Sequence, residues 1–174
     1  KAEGRWWLVD PKGYLFLSLG VNGVGLRPGD GAGTHPDTYR EAALAQHRSE
    51  SAWAAATVER LRQWGFNTIG AASDPVAREQ RLPFVLDLDL SRAARLAEGQ
   101  SFPDVFDPAY QRAVRRQAAR VCRRHAGNSW LIGYFTDDGL DWNAQRGGSE
   151  AFMGWFLGLD DQAPGRRALL RFLE

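Results

Sequence analysis

The chain has 174 residues, with 22 Lys and Arg against 21 Asp and Glu, a formal net charge of +1, 44% hydrophobic residues and 25% charged ones. That is the composition of an ordinary globular domain, and the near-balance of charge argues against nucleic acid or an anionic membrane as a partner. No stretch approaches the ~20 apolar residues of a membrane span, and the lone Cys122 excludes an internal disulfide.

The start, "GRWWLVDPKGYLFLSLGVNGVG", reads as a hairpin. Trp6 to Val9 is one strand, Asp10-Pro11-Lys12-Gly13 a turn, and Tyr14 to Val24 a second strand. Proline presets one turn torsion and glycine tolerates positive φ. The run from Leu15 to Val21 is apolar almost throughout, which predicts a strand buried on both faces. A Gly/Pro-rich loop, "GLRPGDGAGTHPD", follows. In "SESAWAAATVERLRQWG", Ser51 is positioned to cap a helix. Trp53, Ala56, Val58, Leu61 and Trp64 supply its apolar stripe, and Gly65 closes it.

Further on, "FNTIG" is a short strand, "SDPVAREQR" a short helix with proline in its first turn, and "LPFVLDLDL" a strand. The segment "RAARLAEGQSFPDVFD" is mostly loop. A strong helix runs from Asp107-Pro108 to Gly127, with Cys122 on its apolar side in line with Val114, Ala118 and Val121. "SWLIGYFTD" reads as another buried strand, and the tail as a helix, a Pro-Gly break and the start of another. Most of the seven Trp are expected in the core. No signal peptide is visible, and a start at Lys1 without methionine reads as a processed product or a fragment.

The order is therefore a hairpin followed by alternating strands and helices, which predicts a parallel sheet covered by helices in one domain over 1–174. An open doubly wound sheet would make "GVNGVG" (Gly20 to Gly25) a phosphate loop. Its spacing does not match the dinucleotide fingerprint and no helix opens after it, so these glycines are read as permitting close approach at a strand end. A (β/α) barrel is the favoured fold class. Its active face lies at the C-terminal ends of the strands.

Those ends carry Asn22, then Ser73 and Asp74, then Asp87 and Asp89, then Asp137, Asp138 and Asp141. Asp74 and Asp107, each before a proline, also suit helix N-caps. Alternation with Leu86, Leu88 and Leu90 puts Asp87 and Asp89 on one strand face, either the barrel mouth or a solvated rim. The arginines of the 108–125 helix (Arg112, Arg115, Arg116, Arg120, Arg123, Arg124) read as the solvated face of an outer helix rather than a nucleic-acid surface. His35, His47 and His125 have no metal-ligand spacing, and no Gly-x-Ser-x-Gly elbow is present. No cofactor or metal is expected.

Four segments, "GRWWLVDPKGYLFLSLGVN", "LRQWGFNTIG…SD", "FPDVFDPAYQRAV" and "NSWLIGYFTDDGLDW", together resemble the β-agarase-like glycoside hydrolases, retaining enzymes built on (β/α)₈ barrels. The resemblance runs from about Gly4 to Leu173. It implies an oligo- or polysaccharide partner of the agarose or galactan type and a secreted or periplasmic setting. It also implies a fourth strand ending in a phrase like "F-x-D-N-E-L-x-W", whose glutamate is the general acid/base. Aligned on Phe135, Asp137, Leu140 and Trp142, that glutamate position is Gly139 and the preceding asparagine position is Asp138. Glycine has no proton to give. Asp138 is one residue off and should face the other side of the strand, while Asp141 lies in the loop, so both are weak substitutes.

A full barrel needs ~250 residues, and a later strand supplies the family's nucleophile. The chain accordingly resembles the first half of a barrel, about four β/α units after a hairpin. It is expected to be inactive alone, with Asn22, Ser73, Asp87, Tyr134, Asp137, Asp138 and Trp142 as substrate contacts. It would be completed either by a missing C-terminal half or by a second copy in a homodimer. The alternative is a non-catalytic carbohydrate-binding or self-associating barrel remnant.

Overall fold

The computed structural model describes residues 1, 3–26, 38–94, 102–138 and 150–174. The described chain divides into two compact units, one of Lys1–Asp87 with Gly127–Phe135 and the other of Leu88–Ala126 with Thr136–Glu174.

The first unit opens with the predicted hairpin. Strands β1 (Leu8–Val9) and β2 (Leu15–Phe16) pair antiparallel, Leu8 opposite Phe16 and Val9 opposite Leu15. Asp10 makes the turn: its Oδ1 accepts the backbone N–H groups of Lys12 and Tyr14 at 2.9 Å each, and its carbonyl accepts from Gly13 N. The long second strand expected from Tyr14 to Val24 is two strands. After β2 the chain leaves the hairpin, and β3 (Gly20–Val21) joins a different sheet. Between them the Asn67 side chain takes the place of a partner strand. It accepts from Leu19 N and donates to the Leu17 carbonyl, both at 2.8 Å.

That second sheet has the order β3-β4-β5-β6, with β4 (Thr68–Ile69), β5 (Phe84–Asp87) and β6 (Leu131–Phe135), all parallel. The strands follow one another in space as in sequence, without the reversal of a doubly wound sheet. This is the arrangement of (β/α) barrel units. Burial follows position in the sheet. Central β4 and β5 bury Thr68, Ile69, Phe84 and Leu86, whereas edge β6 is half-buried and then exposed at Tyr134 and Phe135. The two-sided burial expected from apolar runs thus fails at the edges. Leu15, in the two-stranded ribbon, is 56% exposed, and Leu17 and Leu19, between β2 and β3 and in neither sheet, are 62% and 49% exposed.

Helices α1 (Thr38–His47), α2 (Glu50–Gln63) and α3 (Pro75–Arg78) complete this unit. The cap of α2 is Ser49, not Ser51: its hydroxyl accepts from Ala52 N at 3.1 Å. Trp53, Ala54, Val58 and Leu61 are buried on α2, while Trp64 lies past its end and is 66% exposed. Gly65, at φ +87, ends the helix as expected. Fully burying a side chain such as Val58 or Ile69 stabilises by roughly 1.5–3 kcal/mol. Among the described Trp residues only Trp53 is buried; Trp6, Trp7, Trp64 and Trp130 are exposed and Trp155 is intermediate, so the expectation of a mostly core role is corrected.

The second unit holds a 3-10 turn (Leu90–Arg92) and helices α4 (Pro108–His125), α5 (Glu150–Leu157) and α6 (Pro164–Leu173). Asp107 caps α4 through Ala109 N at 2.6 Å. Cys122 is half-buried rather than enclosed. The core here is aromatic: Phe102 meets Phe152 and Trp155 edge-on, and Phe156 meets Phe106, Phe152 and Trp155. Asp104 closes it by accepting from Gly165 N at 2.8 Å. The alternation predicted for Asp87 and Asp89 stops at the unit boundary. β5 ends at Asp87, and Asp89 has left-handed backbone at φ +50.

Candidate functional site

Parallel strands put all their C-terminal ends on one side of the sheet, so the loops after β3 and β4 and the last residue of β5, Asp87, meet there. Past the last paired strand residues, the bonding between the β3 and β4 loops continues with side-chain oxygens added to carbonyls as acceptors. Gly70 N donates to Val21 O at 2.8 Å, and Ala71 N to Asn22 Oδ1 at 3.0 Å. Gly23 N then donates to Ala71 O at 2.8 Å, and Val24 N to Ser73 Oγ at 3.1 Å. Leu26 N closes the series on Asp74 Oδ2 at 2.8 Å. Glycine is required inside this lacing. A Cβ on Gly70 would collide with Asn22 Oδ1, and one on Gly25 would sit 3.0 Å from the Asp74 carboxyl carbon.

Asp87, the last residue of β5, joins this lacing. Its Oδ2 accepts the Ala72 N–H at 2.6 Å, holding Ala72 in a left-handed conformation at φ +54. A left-handed L-residue costs about 1–2 kcal/mol, and such strain persists only where surrounding bonds over-determine it. The other oxygen, Oδ1, is buried with no partner among the described groups. Arg78 supplies the nearby positive charge. Burial lowers its guanidinium below the ordinary arginine value, and the carboxylates of Asp87 and then Asp74 oppose that drop.

Three of the sequence-predicted contacts, Asn22, Ser73 and Asp87, are therefore brought together. Each already serves the backbone of a neighbouring loop, and Ser73 is only 6% exposed. Asp74 occupies the N-cap position of α3 but makes no side-chain cap bond; its carboxylate goes to Leu26 instead. Tyr134, at the end of β6, presents an exposed ring. The sequence reading missed Arg78 and Asn67. Both look like ordinary solvated polar residues in a local window; Asn67 lies in the segment "LRQWGFNTIG", but nothing in it singles that residue out.

In the second unit, Asp137 Oδ1 accepts the Ser91 N–H at 2.8 Å, and Asp138 is exposed. Tyr110 donates its hydroxyl to Leu90 O at 3.0 Å. Partial burial, and then Asp137, raise that phenol above its ordinary value. Gly139, Asp141 and Trp142 lie outside the described residues, so the family acid/base position, the loop substitute and one aromatic candidate have no structural account. Among the described residues no three His, Cys, Asp or Glu side chains converge as a metal site would need, and no helix is long and apolar enough to cross a membrane.

No family model matches the chain. Among curated proteins it is similar to β-agarase A of Vibrio sp. (strain JT0107), 28% identical over 191 residues, covering 81% of this chain and 19% of the relative. It is also similar to β-agarase B of the same strain, 22% identical over 206 residues, covering 82% and 22%. The chain thus spans about a fifth of the length of the curated relatives it matches. Among solved structures it is similar to BpGH50, with a TM-score of 0.69 and 17% identity over 99% of this chain and 39% of the other. It is likewise similar to the agarase AgWH50C, with a TM-score of 0.69 and 19% identity over 99% and 34%. These likenesses bear out the expected parallel (β/α) barrel-type fold and the resemblance to β-agarase-like glycoside hydrolases.

Proposed function

We propose that the chain contributes the first β/α units of an agarase-like glycoside hydrolase, and that the strand C-terminal ends hold part of an agarose- or galactan-type chain. The observation that carries this reading is the similarity to two β-agarases over about four-fifths of the chain. Tyr134 and Trp142 offer aromatic faces to sugar rings, and the carboxylates of Asp137 and Asp138 accept hydrogen bonds from sugar hydroxyls. Asn22 spends its oxygen on Ala71 and keeps its amide nitrogen for a hydroxyl. Ser73 and Asp87 serve the sugar indirectly, by fixing the loops that face it.

Retaining glycoside hydrolysis needs one carboxyl to protonate the leaving oxygen and a second, ~5 Å away, to attack the anomeric carbon; it needs no cofactor. With Gly139 at the acid/base position, the 174-residue chain by itself binds sugar without cleaving it. General acid catalysis is worth ~10²–10⁴-fold, and Asp138, one residue off that position along the chain, and Asp141 are weak substitutes for it. The test is reducing-end release and calorimetric binding with agaro-oligosaccharides, for the unmodified chain and for Gly139→Glu. Binding without turnover is expected, weakened in Trp142→Ala. Turnover by the unmodified chain would refute the inactivity, and absence of binding would refute the substrate.

A second reading, a non-catalytic carbohydrate-binding protein that self-associates as a homodimer, draws on the exposed Trp6, Leu15, Leu17 and Leu19. Sedimentation separates the two: a concentration-dependent dimer supports this reading, and a monomer at all concentrations refutes it.

A further inference from the structure

The helix α4 carries Arg112, Arg115, Arg116, Arg120, Arg123 and Arg124, all exposed, and no acidic residue between Pro108 and His125. Arg112, Arg116, Arg120 and Arg124 form an unbroken row at four-residue spacing, and all six lie within about half the helix circumference. Like charges four apart weaken a helix, so this arrangement is locally unfavourable. Surface helices relieve such rows with interspersed Glu, and this one does not. Among the described residues none of the six is in an ion pair. Arg120 donates to Gln117 and Arg123 to the Ala119 carbonyl, which points their stems along the helix but neutralises nothing. The chain as a whole is only +1, so positive charge is concentrated here while the remainder is net negative.

We propose that this face docks a polysaccharide bearing regularly spaced anionic groups, sulfate or carboxylate. Guanidinium matches both in a two-bond fork. The row sets one positive charge every ~6 Å along the axis, which suits an extended chain carrying an acidic group on successive sugars. A membrane surface fits poorly. The side of α4 opposite the arginines is not free, with Val114, Ala118 and Val121 partly buried and Tyr110 bonded to Leu90, leaving no apolar face to insert. Nucleic acid fits poorly because the one aromatic on α4, Tyr110, is half-buried and its hydroxyl engaged, so nothing offers a stacking face. The choice of a polysaccharide over other polyanions rests on the reading above; the charged face itself does not.

The experiment measures binding of the full chain to dextran sulfate, neutral dextran, a homopolymeric single-stranded DNA and phosphatidylserine vesicles, from 50 to 200 mM NaCl. With four contacts on the row, affinity for dextran sulfate should fall about fifty-fold across that salt range by counterion release, and neutral dextran should not bind. Arg116→Gln/Arg120→Gln keeps good helix formers and should weaken dextran sulfate binding at least tenfold, with unchanged far-ultraviolet dichroism. Unchanged binding by that variant would overturn the helix as the site. Tighter binding to DNA or vesicles than to dextran sulfate would overturn the polysaccharide assignment. Agaro-oligosaccharides run in parallel keep the two proposals apart: dextran sulfate binding lost in the double variant, with no agaro-oligosaccharide bound, would refute the strand-end site and leave this surface standing.

Discussion

Replacing Gly70 with alanine tests the side-chain lacing at the strand ends. The added Cβ would collide with Asn22 Oδ1 and would sit 2.9 Å from the Val21 carbonyl oxygen, to which Gly70 itself donates. The backbone at Val21 is held by sheet pairing, so the Asn22 side chain must move. Moving it strips the Ala71 N–H of its acceptor, and Ala71 is only 1% exposed. An orphaned buried donor costs about 1–3 kcal/mol and the overpacking a further ~1–3. Gly70→Ala should therefore destabilise by about 2–6 kcal/mol, and Asn22→Ala by about 1–3 through the orphaned donor alone. The two variants break the same bond, so their effects must not add. The double variant should be less destabilised than the sum by at least about 1 kcal/mol. Urea unfolding followed by tryptophan fluorescence measures all three. Additive effects, or a Gly70→Ala change within about 0.5 kcal/mol of zero, would show that the Asn22 contact is not what makes this glycine necessary.

Ala72→Gly should stabilise by about 0.5–1 kcal/mol, because relief of left-handed strain outweighs the added unfolded-state entropy; no gain would mean that Asp87 imposes no strain there. Ser49→Ala should cost about 1 kcal/mol and Ser51→Ala less than about 0.5 in thermal unfolding, the reverse order refuting the cap at Ser49. Tyr110 should ionise above the ordinary phenol value of about 10. As pH climbs from there toward its folded value, the unfolded chain gives up the proton first, so this residue's contribution to stability is present below that range and lost within it. A spectrophotometric titration in which Tyr110→Phe leaves the highest-pH component unchanged would contradict the assignment.

Much of the architecture was legible because it is written in local pattern. Gly65 ends α2 as expected, Asp107-Pro108 opens α4, and the Asp10 turn forms where proline and glycine place it. The glycines of "GVNGVG" are structural, as at Gly25 against Asp74. The errors share a cause. Apolarity in Leu15–Phe16 and Leu131–Phe135 announces strands but not whether a strand is central or at an edge, and the edge position decided their exposure. The cap of α2 was misplaced by two residues because Ser49 and Ser51 offer the same chemistry, and only the backbone geometry, extended at Ser49, separates them.

The sequence by itself determined the order of strands and helices, the clustering of polar residues at strand C-terminal ends, and the agarase-like resemblance. Each is a property of neighbours along the chain or of a motif. Tertiary structure alone decided what those polar side chains are doing. Asn22 answers to Ala71, Ser73 to Val24 and Asp74 to Leu26, partners 49, 49 and 48 residues away. A hydrogen bond of about 3 Å is set by which loops fold against each other, and no window along the chain contains that information.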